Sequence, residues 1–481
     1  MLKFYNTLSR SLEEFKPLKD RSVLLYHCGP TVYWTQHIGN LRGITMGDLL
    51  VRTLKYLDYE VTSARNYTDV GHLSSDADSG VDKMEKGAKR EGATPQQIAN
   101  KYIKIFENDT KLLNFLEPTY KPKATEHIND MIEMVEILVK NKFAYQTDSA
   151  IYFDTEKFKN YTQLNRQNIQ KQIVGAGSAE VKDIDKKNPS DFAIWFFKTG
   201  VHKNALQTWP SPFESKAVEN GDGFPGWHIE CSAMSKSLLG DTLDIHFGGI
   251  EHIPVHHTNE IAQSEATTGV KFVNYWLHNG HLLVDGNKMA KSEGTGYSLG
   301  EVVEKGYDPL ALRYFFLNAH YRSNQNFSWN AMKQAQDSYN QLKSYIKQIK
   351  NSSTKRQILS EDKLKKIDEL KIRFIQSLEN DLNVPQALAV MWEVIKSSIP
   401  SSDKLDLVYD FDRVLGLGLK KIIEVKEKSI PDEIKKLVEK RVNLRNLNKY
   451  KEADVVRKLI EKKGYTVEDK KGGSAIAKKQ I

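Results

Sequence analysis

At 481 residues, 40% hydrophobic and 27% charged, the chain is too long for one core of ordinary size and reads as a globular protein of several domains. No apolar run approaches the roughly 18–20 residues needed to span a bilayer, and residues 1–15 alternate apolar with charged side chains instead of forming a signal-peptide stretch; membrane and secreted classes are set aside, and a cytoplasmic setting is expected. The net charge of +8 sits in the tail, where residues 421–481 hold 18 Lys/Arg against 10 Asp/Glu, a surplus that suits a polyanion and suits a solvated helix surface equally.

In chain order, residues 21–26 are a short apolar strand ended by Cys28-Gly29-Pro30, and 41–57 shows apolar residues at helical spacing. Residues 60–66 give the next strand, and 94–116 a long amphipathic helix closed by Pro118. Strand, helix, strand opens a doubly wound parallel sheet. From 118 to 225 the pattern turns irregular, with a helix at 126–142, an aromatic strand at 150–153, a Gly/Ser break at 175–178 and a Trp/Pro/Gly-rich stretch at 208–226, and this reads as an insertion. Sheet signals resume at Gly226, with a strand at 241–247 and a helix at 255–268. Helical segments follow from Asp308 to about 421. After Pro431 come two polar helices, 432–447 and 450–463, a short strand at 465–467 and a Lys/Gly-rich tail. The expected division is 1–117 and 226–299 for the two halves of the sheet domain, 118–225 for the insertion, 300–425 for a stem and helical bundle, and 426–481 for a small basic α/β module.

Two segments carry chemistry. His37-Ile38-Gly39-Asn40 follows Cys28-Gly-Pro-Thr-Val-Tyr33 at the first strand-to-helix turn. A glycine there lets the backbone approach a nucleotide, and the helix that follows directs unpaired amides and its positive end at phosphate. About 250 residues later comes Lys288-Met289-Ala290-Lys291-Ser292, after the turn-rich Val284-Asp285-Gly286-Asn287. Two ammonium groups on a mobile loop can oppose charge on a reacting triphosphate. Alone, His37 reads more readily as a structural histidine and Lys-x-x-Lys as a solvated pair. Cys28 and Cys231 are the only thiols, and in a reduced compartment they are packed thiols or metal ligands rather than a disulfide. His256 and Glu260, at i and i+4, share one helix face. Two buried cysteines beside a helical His–Glu pair remain the plain alternative to a metal site.

Taken together, these strings resemble the class I aminoacyl-tRNA synthetases, and in detail the cysteinyl-tRNA synthetase family. Arg65-Asn66 with Thr68-Asp69, Gly226-Trp-His-Ile-Glu-Cys-Ser-Ala-Met234, Asn259-Glu-Ile-Ala-Gln263 and His320-Tyr-Arg-Ser323 extend the resemblance over most of the chain. It implies a Rossmann-like α/β fold, adenylate formation from cysteine and ATP with Mg2+, and transfer to tRNA(Cys) by a monomer. It assigns His37, Asn40, Lys288 and Lys291 to catalysis, and these with Thr31, Gly39, Gly248 and Gly249 to ATP. Cysteine would meet Thr68, Trp227 and Glu251. One zinc ion would be held by Cys28, Cys231, His256 and Glu260 and would select sulfur over the serine hydroxyl, where an apolar pocket separates near-isosteres by only roughly 100-fold. His252 and His257 are not expected to be ligands. Arg313, in the signature Asp308-Pro-Leu-Ala-Leu-Arg313, and Lys440, Arg441, Arg445 and Arg457 in the tail would contact tRNA.

The chain departs from the family pattern at Asn40, where histidine is usual, at Ala290 for serine, at Val70-Gly71-His72, at Phe247 and Ile250-Glu251, and at Thr258. Two rivals are a related ligase that passes cysteine to an amino sugar, and a catalytically silent RNA-binding paralogue.

Overall fold

Lys3–Asn6 (β1) and Ser11–Glu14 (β2) pair as an antiparallel hairpin ahead of the first apolar strand, Ser22–His27 (β3). The computed structural model describes residues 1–71, 73, 82–166, 186–289, 295–352, 359–422, 431–469 and 475–479. β3 leads into helix α1, Ile38–Tyr56, and returns in parallel to β4, Glu60–Arg65. Helices α2 (Lys83–Glu91) and α3 (Pro95–Leu112) follow; α3 starts on a reciprocal cap between Thr94 and Gln97 with Pro95 in its first turn.

After helix α4 (Ile128–Lys140), strands β5 (Ala144–Gln146), β6 (Ala150–Phe153), β7 (Phe192–Phe197) and β8 (Gly223–Pro225) form a separate antiparallel sheet. β7 reads Phe-Ala-Ile-Trp-Phe-Phe and is buried along its whole length, the pattern of a strand covered on both faces. Helix α5 (Trp227–Leu239), strand β9 (Leu243–Gly249), helix α6 (His256–Thr268) and strand β10 (Val273–Asn279) complete the parallel sheet. Its order is β10-β9-β3-β4. Chain connections leave the central pair β3/β9 in opposite directions, so a crevice opens beyond their carboxyl ends, where doubly wound folds bind ligands.

Strands β11 (Leu282–Val284), β12 (Asn287–Lys288) and, after helices α7 (Leu299–Glu304) and α8 (Pro309–Leu317), β13 (Gln325–Phe327) make a small third sheet. Four helices follow: α9 (Trp329–Asn351), α10 (Glu361–Glu379), α11 (Val384–Lys396) and α12 (Ser401–Leu415). They are tied to α1 by a buried ionic hub. Asp48 of α1 accepts from Arg52 Nε at 2.8 Å and from an Arg313 terminal nitrogen at 2.6 Å, and Arg313 also donates to the Leu415 and Leu113 carbonyls.

This hub corrects one expectation. Arg313 is fully buried, with its guanidinium spent on Asp48 and two carbonyls, so it is a structural residue and not a tRNA contact. An arginine at the fifth position of a helix reads as surface in one dimension; the helices packed against it are what bury it.

Residues 1–419 form one compact unit and 420–481 a second. In the second, helices α13 (Asp432–Asn446) and α14 (Tyr450–Lys462) pack around Ile434, Val438, Val456 and Ile460, with strands β14 (Tyr465–Asp469) and β15 (Ala475–Lys479) paired antiparallel. Arg441 is 2% exposed and is likewise removed from the surface set proposed to meet RNA. Lys440, Arg445 and Arg457 are exposed. Among the described residues, no helix is long and apolar enough to cross a membrane.

Candidate active site and metal centre

A cleft of about 570 Å³ lies at the carboxyl ends of β3 and β9. The amino-terminal turn of α1 supplies His37, Gly39 and Asn40 to its wall. His37 caps the helix, its Nδ1 accepting from the Asn40 amide at 3.2 Å, while Ile38 N donates to Tyr297 O. Asn40 Nδ2 donates to Gln36 Oε1 at 2.6 Å. The helix therefore presents its positive end to the cleft with a side-chain amide beside it.

Thr31 and Thr68 enter from neighbouring strand ends that bridge in parallel; Val32 N donates to Thr68 O and Thr68 N to Pro30 O. Gly29 is needed for this approach, since a Cβ there would lie 1.6 Å from the Asn66 carbonyl oxygen. Asn66 in turn accepts from Gly29 N at 2.8 Å and donates to Thr68 Oγ1 at 3.2 Å. On the opposite side, Gly248 and Gly249 end β9, and a Cβ at Gly248 would strike the His257 ring at 2.5 Å. Glu251 lines the cleft, half exposed, with its carboxylate 3.5 Å from His281 Nδ1.

The metal candidates converge at the cleft floor. The donor atoms of Cys28, Cys231, His256 and Glu260 all lie within 4.8 Å of one another. Cys28 comes from the end of β3, Cys231 from α5, and the other two from one face of α6. Trp227, one turn before Cys231, stacks on His256 with ring centroids 4.2 Å apart, and His256 Nε2 sits 3.1 Å from Glu260 Oε1. Burial raises the Cys28 thiol well above its ordinary pKa. The hydrogen bond with Cys28 is the largest influence on the Cys231 thiol and pulls its pKa down, but burial together with the nearby Glu260 and Glu230 carboxylates leaves that thiol raised as well. Two thiols, an imidazole and a carboxylate, collected in a buried niche that opens on one side, match the sulfur–nitrogen preference of a borderline divalent ion, so the residues fit zinc.

A second set, Cys28, His246, His257 and Glu260, meets the same distance limit. His246 Nε2 contacts Glu260 Oε2 at 2.9 Å, and His257 Nε2 contacts Cys28 Sγ at 3.3 Å. Burial lowers the His257 pKa well below the ordinary value, with His246 and His278 adding to the effect. His246 lies on a strand, and its relation to Glu260 has no signal in sequence spacing; the His256-His257 doublet did mark its neighbour.

Residues 14–337 match the family described as the tRNA synthetases class I (C) catalytic domain. A cysteine–tRNA ligase from Treponema denticola is 41% identical, over 98% of each chain. The chain belongs to the cysteine–tRNA ligase family. Cysteine–tRNA ligase 1 of Burkholderia lata is 39% identical, over 99% of this chain and 96% of its own. Methionyl-tRNA synthetase of Mycobacterium tuberculosis, solved in complex with methionyl-adenylate, shares the fold with a TM-score of 0.58 at 14% identity, over 86% of this chain and 95% of its own.

The family's paired-lysine segment begins in β12, where Lys288 pairs with Leu283; Lys291 lies outside the described residues. Met289 is buried, and a Cβ at Gly39 would come within 3.5 Å of its Sδ. The start of the lysine segment thus packs on the first signature.

Proposed function

We propose that the protein is a zinc-containing cysteine–tRNA ligase that works in the cytoplasm as a monomer. Cysteine carboxylate attacks the α-phosphate of magnesium-bound ATP, releasing pyrophosphate, and the terminal ribose hydroxyl of tRNA(Cys) then takes the acyl group from the adenylate. The observation that carries the reading is the single cleft that collects His37, Asn40, Thr68, Trp227, Cys28 and Cys231, with Met289 packed at Gly39.

His37, Asn40 and the α1 amino terminus bind and orient the phosphates; Lys288 and Lys291 offset the charge that gathers on the α-phosphoryl group and pyrophosphate. Thr68, Trp227 and Glu251 hold the amino acid, the last through its ammonium group. Zinc on Cys28, Cys231, His256 and Glu260 supplies Lewis acidity that prefers a thiolate to a hydroxyl. Lys440, Arg445 and Arg457 contribute phosphate contacts to tRNA, and the division at 117, 225, 299 and 425 separates sheet domain, insertion, bundle and basic module. The helices of residues 329–415 and the module after them favour tRNA over a small amino-sugar acceptor.

The test is exchange of labelled pyrophosphate into ATP with cysteine or serine, followed by charging of tRNA(Cys). Exchange with cysteine alone and charging of the tRNA are expected. Folded, zinc-loaded protein that exchanges with neither amino acid would leave the RNA-binding paralogue.

A further inference from the structure

The amino-terminal hairpin belongs to none of the signatures, yet it reaches the metal niche through a continuous line of hydrogen bonds. Asn6 clamps the hairpin to β10, accepting from Trp276 N at 3.1 Å and donating to Asn274 O at 2.9 Å. The next residue, Thr7, donates its amide to Trp276 O and sets its hydroxyl 2.8 Å from His278 Nδ1. His278 Nε2 lies 2.7 Å from His257 Nδ1, and His257 Nε2 lies 3.3 Å from Cys28 Sγ. Both imidazoles are buried, at 3% and 0% exposure.

A neutral imidazole has one N–H and one lone pair, so this line can run in only two directions. A Cys28 that holds a metal ion is a thiolate and can only accept. His257 Nε2–H must then donate to it, His257 Nδ1 must accept from His278 Nε2–H, and His278 Nδ1 must accept from the Thr7 hydroxyl. The opposite direction would make His257 Nε2 a lone-pair donor, as the second four-residue set requires. The cleft decides between them: Cys28, Cys231 and His256 line it, whereas His246 and His257 do not. An ion in the rear set would be out of reach of a thiol arriving in the cleft.

We propose that Thr7 and His278 are positioning residues for the metal centre, holding His257 so that its Nε2–H is aimed at the Cys28 sulfur. The inference rests on the zinc reading above. Its consequence is that the hairpin tunes the site: a hydrogen bond to the Cys28 thiolate withdraws charge from it and leaves the ion more receptive to the substrate's sulfur, as outer-sphere partners of metal ligands do elsewhere.

The experiment is cobalt substitution of the full chain, reading the thiolate-to-cobalt charge-transfer band and the cobalt Kd by chelator competition. Thr7→Val removes the hydroxyl at nearly constant volume, and Thr7→Ser restores it; His257→Gln keeps an amide N–H near the sulfur. Wild-type protein is expected to bind one equivalent, T7V to shift the band to lower energy with a Kd raised about 10-fold, T7S to return both toward wild type, and H257Q to retain one equivalent. An unchanged band and Kd in T7V, or loss of stoichiometric cobalt in H257Q, would overturn the inference and, in the second case, make His257 a ligand. Absence of a cobalt–thiolate band in folded wild-type protein would remove the zinc reading itself and this inference with it.

Discussion

Asp48→Asn tests whether the ionic hub joins helix α1 to the bundle. The Asp48 carboxylate accepts three hydrogen bonds, from Arg52 Nε at 2.8 Å, Arg313 at 2.6 Å and Leu116 N at 2.7 Å. Burial pushes its pKa up, but the guanidiniums of Arg313 and Arg52 and the Leu116 amide outweigh that effect and hold it below the ordinary carboxylate value. Asparagine keeps the shape and one acceptor while leaving two buried guanidiniums without a counter-charge. Breaking a buried pair in this way costs about 3–5 kcal/mol. All seven tryptophans lie within residues 1–419, so urea unfolding followed by tryptophan fluorescence reports this unit alone. The expected result is a midpoint shifted down by that free energy at an unchanged urea slope. Because the folded-state pKa is depressed, the advantage of wild type is present at neutral pH and fades as pH falls below about 4, through the folded value. A difference under about 1 kcal/mol at pH 7 would refute the idea that the hub is a stabilising junction, and would mean that water or a shifted side chain compensates the two arginines.

Asp109→Asn should act in the opposite sense. Burial raises the pKa of Asp109 to about 7, and its Oδ2 is buried without a hydrogen-bond partner. The folded state therefore keeps a proton that the unfolded state releases, and wild-type stability falls as pH rises from about 4 to 7; D109N should be more stable at pH 8 by up to about 4 kcal/mol and equal at pH 4, read from urea midpoints at the two pH values. Gly29→Ala places a methyl group against the Asn66 carbonyl, and cysteine-dependent pyrophosphate exchange should drop on the order of 100-fold or more with circular dichroism little changed. Cys231→Ser exchanges a soft ligand for a hydroxyl, so zinc measured by atomic emission should fall from about one per chain to below ~0.1 after dialysis. Retained zinc would point to the rear donor set.

The strand and helix pattern around β3, α1 and β4 was legible because each element buries one local face and writes that face into its own spacing. The His37 cap and the Thr94–Gln97 capping pair are equally local in origin, yet they emerged only with the structure. The chemistry-bearing strings were legible for the same reason, as a helix must carry Trp227 and Cys231, or His256 and Glu260, at one-turn separations to aim them together. The hairpin β1/β2 and strand β10 went unread, because their apolar content is short and their reason for pairing lies elsewhere in the chain. The same gap hid the fate of two arginines. Arg313 and Arg441 look like surface cations in sequence, and only the packing of other helices over them turns one into the partner of Asp48 and buries the other.

The amino-acid sequence by itself determined the family, the succession of the strands and helices that carry their own periodicity, and the candidate site side chains, because those depend on residue type and near-neighbour spacing. Tertiary structure alone decided that β3 and β9, more than 200 residues apart, lie side by side, and so that Cys28 meets Cys231, Met289 packs at Gly39 and Thr7 reaches the metal niche. Parallel pairing of distant strands leaves no periodic trace in either strand; the register is set by which buried faces fit when the whole sheet closes.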